Sequence, residues 1–442
     1  MIVIIGNGIA GVTVARNIRK NSDEAITIIS SESKYFFSRT ALMYVYMGHM
    51  KFEHTQPYEP HFWTKNKIDL ELEHVTTINT DEKSVSTQSG KTIQYDKLII
   101  ASGSKPNKFG WPGQDANGVG GMYSKQDLEY IESHSENLKS AVIIGGGLIG
   151  IEMAEMFLSR NIEVHFLVRE KLFWNNVLPE QDAQLIMNHF EKHHGLHMHY
   201  DDELVEINTD DGNNAVSVLT KNGDTIPCQF VGLTAGVSPN IDFVKSSGIE
   251  TNRGILINTY FETSASDVYA IGDCAEFKNP VAGRRPIEQV WYTGKIMGEA
   301  LAQTVTGNRT EYNPGHWFNS AKFFEIEYQT YGVVQSELQE NEAEFVYHNE
   351  EKELLLHFVF DKNTKKFIGI NNFGIRMRHP VFNNWLLNEA SIEEVLTDLK
   401  TANFDPEFYS KYEEEIIAHY NAEFNAKVQV NKTKWWQKLI NA

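Results

Sequence analysis

Before residue 316, the apolar residues of this chain cluster into short uninterrupted runs separated by glycine turns. After it they alternate with polar ones. Met1 to Ile5 is a continuous run rich in β-branched residues, the pattern of a strand buried on both faces. Gly6-Asn7-Gly8-Ile9-Ala10-Gly11 follows at once and opens a helical stretch to Lys20. A second run, Ala25 to Ile29, ends in Ser30-Ser31-Glu32. The same order then recurs. Ala141 to Ile144 reads as a strand and Gly145-Gly146-Gly147-Leu148-Ile149-Gly150 as a turn. Ile151 to Arg160 reads as a helix and Val164 to Val168 as the next strand, which ends at Arg169-Glu170.

A strand, a GxGxxG turn and a helix form a dinucleotide-binding unit with a definite division of labour. Gly6 permits the tight turn, Gly8 lets backbone approach a pyrophosphate, and Gly11 lets helix and strand pack closely. The helix N-terminus then faces the anion. Glu32, at the end of the second strand, is placed to accept hydrogen bonds from ribose hydroxyls. Two such turns imply two dinucleotides, and a flavin with a nicotinamide is the natural pair. Between and beyond them lie two strand-to-small-residue segments. They are Tyr95 to Pro106, containing Ala101-Ser102-Gly103, and Thr263 to Asp273, TSASDVYAIGD, containing Gly272. Each brings backbone close to a bulky group. An acid such as Asp273 is, taken alone, more often a helix cap than a ligand contact.

Composition narrows the field. The chain has 442 residues and a net charge of −19, which disfavours nucleic acid as a partner. No stretch of 18 apolar residues exists, so no transmembrane segment is expected. Two cysteines, Cys228 and Cys274, exclude a disulfide scaffold and a four-cysteine metal site. The apolar N-terminus has no basic residue before it and reads as a first strand, not a signal peptide. A cytoplasmic location is therefore expected.

The ordered set GNGIAG with Glu32, YDKLIIASGS, GGGLIGIE, TAGVSPN (which holds Gly236) and TSASDVYAIGDC resembles the FAD-dependent pyridine nucleotide-disulfide oxidoreductase family. FFSRTAL (36–42) and the region after Trp317 are most similar to its nitrite reductase flavin module and rubredoxin reductase branch. The resemblance implies an α/β fold of two Rossmann-like three-layer dinucleotide-binding domains plus a C-terminal α+β domain. It implies FAD and NAD(P)H as cofactors. Gly6, Gly8, Ile9, Ala10 and Gly11 would hold the FAD pyrophosphate, Glu32 its ribose, and Arg39 would lie along its phosphates. Val75 would meet adenine, Ala101-Ser102-Gly103 would form the family's Ala-Thr-Gly turn with serine for threonine, and Asp273 would bind the ribityl chain. Gly147, Gly150 and Glu152 would serve the nicotinamide dinucleotide, with Glu152 near its ring. Arg169, followed by Glu170, leaves NADPH or NADH open. Trp291 opens a helix that family members direct at the flavin's pyrimidine end, with core packing as the plain alternative. Lys322 resembles a lysine near the flavin, with a surface lysine as the plain alternative.

The departures matter as much. Ser38 to Tyr44 contains no cysteine, so thiol chemistry at the flavin is not expected, and both cysteines read as structural. The lysine of ferredoxin-reductase relatives is replaced by Tyr44. The expected activity is electron transfer from NAD(P)H through flavin to an external acceptor, a rubredoxin- or ferredoxin-like carrier. A quinone acceptor and a flavin-redox-dependent interaction protein are the alternatives. Docking an acidic carrier would need a basic patch such as Arg376, Arg378 and His379, or the tail.

The expected division is an FAD-binding domain in 1–115 and 252–315, an NAD(P)-binding domain in 116–251, and a C-terminal α+β domain in 316–400 that often dimerises in relatives. A helical extension follows in 401–442. Runs at KFFEIEYQTYGVV, AEFVYH, ELLLHFVF and KFIGINNFGI predict an antiparallel sheet there, and Ser391 with Glu394 a capping box. The histidines at 189, 193, 194, 197 and 199 read as a solvated helix end followed by a strand, because no acid or cysteine completes a ligand set at tight spacing; no metal is expected. The basic, aromatic end, Lys432 to Ile440, is suited to dock a membrane surface or a partner, or to fold onto its own domain.

Overall fold

A computed structural model describes residues 1–405 and 410–431. The basic aromatic end from Lys432 lies outside the described residues. Two compact units are present. The first comprises Met1–Gly145, Met156–Val164 and Leu204–Pro314; the second comprises Gly146–Glu155, His165–Glu203 and the chain from Gly315.

The first unit is built on a sheet of five strands in the order Val268–Ala270, Lys97–Ile100, Ile2–Ile5, Ile26–Ser30 and Ile68–Leu72, all parallel. Ile2–Ile5 is buried along its whole length, as its unbroken apolar run requires. Helix Ile9–Asn21 buries Val12, Val14, Ala15 and Ile18. It packs against helix Trp291–Val305 through Gly298, whose missing Cβ would stand 2.8 Å from the Ala10 carbonyl oxygen. A second parallel ladder of Val119–Gly120, Phe230–Leu233 and Ser140–Ile144 lies in the same unit. The strands and helices that follow the two glycine turns fall within a few residues of their expected bounds, at Leu148–Ser159 and Glu163–Val168 for the second.

The second unit contains a five-stranded antiparallel sheet. Its order is Phe318–Phe323, Ile326–Gly332, Phe367–Phe373, Leu354–Asp361 and Glu342–Asn349. In the sequence KFFEIEYQTYGVV reads as one run. The chain instead reverses at Phe324-Glu325, with Phe324 at φ +53°, so Lys322 lies on one strand and Glu327 on the next. Helix Ile392–Thr397 begins at the expected capping box: Ser391 Oγ accepts from the Glu394 amide, and the Ser391 amide donates to the Glu394 carboxylate.

Candidate dinucleotide sites

The first glycine turn leaves no room for a side chain where the chain must be tight, and leaves space where a ligand must enter. Gly6 has φ +107°, and a Cβ there would lie 2.1 Å from the Ala101 carbonyl oxygen. Gly8 caps helix Ile9–Asn21 with no side-chain hydrogen bond, no acid stands in the first turn, and nothing lies within 4 Å of where its Cβ would be. The first amides of this helix are thus offered to an anion.

Ala101, Ser102 and Gly103 follow the strand beside this turn. The Ala101 amide donates to the Ile5 carbonyl at 2.8 Å, and Ser102 Oγ donates to the Asn240 carbonyl at 2.7 Å. Ser104–Pro106 pairs antiparallel with Val237–Pro239, so the ASGS and TAGVSPN segments meet, and the Gly236 carbonyl accepts from the Asn107 amide at 3.1 Å. Val75 is buried at the start of strand Val75–Asn79.

Glu32 and Arg39 are brought together. Arg39 donates Nη1 to Glu32 Oε1 at 2.8 Å and Nη2 to Oε2 at 2.6 Å, a two-pronged pair. Glu32 Oε1 also accepts the Lys125 amide at 2.8 Å, at the start of helix Lys125–His134. Each carboxylate oxygen can accept twice, so Oε2 keeps one position for a ribose hydroxyl. Arg39 also donates to the Tyr123 carbonyl and lies over the Tyr123 ring at 4.4 Å. Burial disfavours the Arg39 cation, but Glu32 more than offsets this, and the guanidinium titrates above its ordinary value.

Asp273 follows Gly272 at the end of the short strand. Its Oδ2 accepts from Ser104 Oγ at 3.2 Å and from the Tyr123 hydroxyl at 3.4 Å, two contacts that do not use Oδ1. Burial raises the Asp273 pKa, with Ser104, Arg39 and Tyr123 pulling it partly back. A buried carboxylate with spare acceptor capacity suits a polyhydroxyl chain. Tyr123 was not singled out from sequence, yet its hydroxyl also accepts from the Ser104 amide at 2.9 Å, so it links Arg39, Ser104 and Asp273. A lone tyrosine before a capping box carries no sequence signal for that role. Trp291, the first residue of its helix, is 37% exposed.

The second turn is divided between the units. Within the second, Gly147 precedes helix Leu148–Ser159 and has nothing within 4 Å of its missing Cβ, an open cradle like that at Gly8. Gly150 is buried in the first turn of that helix, and Glu152 lies one turn before Glu155. Burial, and then the Glu155 charge, push the Glu152 carboxyl up to about 7. Lys322 Nζ donates to Glu155 at 2.9 Å, so Lys322 reaches this helix face through Glu155. Arg169, 70% exposed, pairs with its neighbour Glu170 at 2.8 Å.

Both cysteines are buried. Burial pushes the Cys228 thiol up to about 12 and raises Cys274 as well, so neither offers a thiolate near neutral pH. Among the described residues no helix is long and apolar enough to cross a membrane. Of the expected basic patch, Arg376 is held by Glu327 at 2.9 Å, and His379 lies against Phe318 at 3.9 Å between ring centres.

The pyridine nucleotide-disulphide oxidoreductase family matches residues 1–298, and the chain belongs to that family. It is similar to the assimilatory nitrate reductase electron transfer subunit of Bacillus subtilis, at 30% identity over 310 residues. That match covers 69% of this chain and 39% of that protein, so the chain spans well under half of that relative's length. It is also similar to the NADH-rubredoxin oxidoreductase of Clostridium acetobutylicum, at 32% identity over 288 residues, covering 63% of this chain and 69% of that one. These relatives are of the branch to which the sequence motifs point. In fold, it matches an NAD-dependent persulfide reductase from A. fulgidus with a TM-score of 0.82 at 24% identity, over 96% of this chain and 83% of that one.

Proposed function

We propose that this protein is an FAD-dependent NAD(P)H oxidoreductase that hands electrons to an external acceptor, a rubredoxin- or ferredoxin-like carrier. The observation that carries this reading is the pair of open glycine cradles, Gly8 and Gly147, each at the start of a helix, in a chain whose two thiols are buried and protonated. When bound, FAD supplies the exchange between a nicotinamide hydride and the acceptor's electrons.

The chain's own residues bind and orient. The free amides of helix Ile9–Asn21 receive the FAD pyrophosphate. Glu32 Oε2 accepts a ribose hydroxyl, and Arg39 holds that carboxylate in place and brings positive charge toward the phosphates. Asp273 Oδ1 accepts a ribityl hydroxyl. The N-terminus of helix Trp291–Val305, with no acid in its first turn, offers partial positive charge to the flavin's pyrimidine end. The Gly147 turn takes the nicotinamide dinucleotide. Glu152, its carboxyl pushed up to about 7, would hold or release a proton where the nicotinamide would bind, and Lys322 pairs with the neighbouring Glu155.

The domains we assign are 1–115 with 252–315 for FAD, 116–251 for NAD(P), and 316–400 for an interface through which two copies associate; 401–442 is an extension. The cytoplasm is the proposed location. A net charge of −19 works against an acidic carrier, which makes a neutral quinone the second reading. The test is anaerobic reduction by NADH or NADPH followed by rapid mixing with rubredoxin, ferredoxin or a soluble quinone. Rapid flavin reoxidation by a carrier supports the first reading and by quinone alone the second. Slow reoxidation by all three contradicts both.

A further inference from the structure

Away from the glycine turns, helix Glu180–Phe190 carries His189 in its last turn, and His193 follows one turn later. Their spacing in the sequence predicts a solvated helix end. His189 is instead buried, with its side chain 6% exposed. An acid 136 residues further along the chain completes the group: Glu325, from the tight turn between strands Phe318–Phe323 and Ile326–Gly332.

The geometry is that of a ligand set. His189 Nε2 lies 3.1 Å from Glu325 Oε2, His193 Nε2 lies 3.3 Å from the same oxygen, and the two Nε2 atoms are 3.3 Å apart. A tetrahedral ion with bonds of about 2.0–2.1 Å requires ligand atoms about 3.3 Å apart. On the other side of the ring, His189 Nδ1 is 2.8 Å from Glu353 Oε1, which also accepts Lys192 Nζ at 2.6 Å. Glu353 is placed to accept from Nδ1–H, the tautomer in which the Nε2 lone pair faces Glu325 and a carboxylate orients a metal-bound histidine. Phe324 stacks on the His193 ring at 4.0 Å.

We propose that His189, His193 and Glu325 bind a divalent transition-metal ion of the zinc type, with Glu353 orienting His189 and a solvent molecule as the fourth ligand. Two imidazoles and one carboxylate suit zinc and its neighbours and not calcium or magnesium, which take oxygen ligands. Glu325 is 72% exposed, which gives the ion a route in and a solvent-facing position. The ion clamps the end of helix Glu180–Phe190 to the hairpin that carries Lys322.

The test uses the full-length, FAD-loaded protein, stripped with a chelator and titrated with Zn(II) by calorimetry. Co(II) is then added and its absorption read to the red of the flavin bands. The expected result is one ion per chain, intense tetrahedral Co(II) bands and a raised Tm. His193→Ala and Glu325→Gln should each remove saturable binding, and Glu353→Gln should weaken it about 10- to 100-fold, all three with flavin content unchanged. Absence of saturable binding, weak octahedral Co(II) bands, or one-ion binding that survives in His193→Ala would each overturn the proposal.

Discussion

The two glycine turns of this chain share a spacing and differ in what stands at the end of the next strand. After the first, Glu32 is gripped by both terminal nitrogens of Arg39 and by a helix amide, and is only 18% exposed. After the second, Arg169 is 70% exposed and pairs with the residue beside it, Glu170. An acid fixed by three donors presents its remaining lone pair at no further ordering cost, whereas an exposed arginine must be ordered each time a ligand binds. The first arrangement suits a resident cofactor and the second a nucleotide that comes and goes.

The comparison can be broken most severely at Gly6. Gly6→Ala places a methyl 2.1 Å from a backbone oxygen at a φ of +107°, and we expect a loss of roughly 2–4 kcal/mol of stability, read as a lower denaturant midpoint. Gly8→Ala meets nothing within 4 Å and is expected to fold normally. Equal destabilisation of the two would refute the contrast between tight turn and open cradle.

Asp273→Ala should weaken FAD retention by about 1.5–3 kcal/mol, and Glu32→Ala by less, because each removes a charged acceptor from a hydroxyl. Flavin released on dilution measures both, and full occupancy in both variants would contradict these roles.

A smaller effect is expected at Glu152. Its folded pKa, about 7, lies above the ordinary carboxyl value of 4.5. The stability it contributes is therefore present below about pH 4.5 and is lost as pH rises through about 7. Wild-type Tm should fall over that window more steeply than that of Glu152→Gln. Parallel pH profiles would show that the carboxyl is not held protonated.

Arg169 should matter least. Glu170 already occupies it, and at 70% exposure its contact with a 2′-phosphate is screened, so Arg169→Ala should reduce kcat/KM for NADPH by no more than about tenfold, with NADH unaffected. Glu170→Gln should raise NADPH use. If neither substitution shifts the ratio, another residue reads the ribose.

The fold of the first unit was legible because its central strands Ile2–Ile5 and Ile26–Ser30 are buried along their whole length and its glycine turn admits no side chain at Gly6 or Gly11, so local sequence and tertiary demand agree. What was not legible depends on side chains whose meeting no local spacing signals, most of them far apart in the chain. Nothing near Glu32 announces that Arg39 will hold it, or that Tyr123 will bridge Arg39, Ser104 and Asp273. The reversal at Phe324 lacks the glycine that usually marks a left-handed position, which hid both the hairpin and the approach of Glu325 to His189.

The central claim is that electrons enter from a nicotinamide nucleotide, reside on flavin alone and leave without a thiol relay. An anaerobic titration of the purified protein with NADH or NADPH, followed by dithionite, tests it most directly. The account predicts bleaching of the flavin by nucleotide and a total uptake of two electrons per FAD. An uptake of four, or a flavin that dithionite reduces and neither nucleotide does, would contradict it.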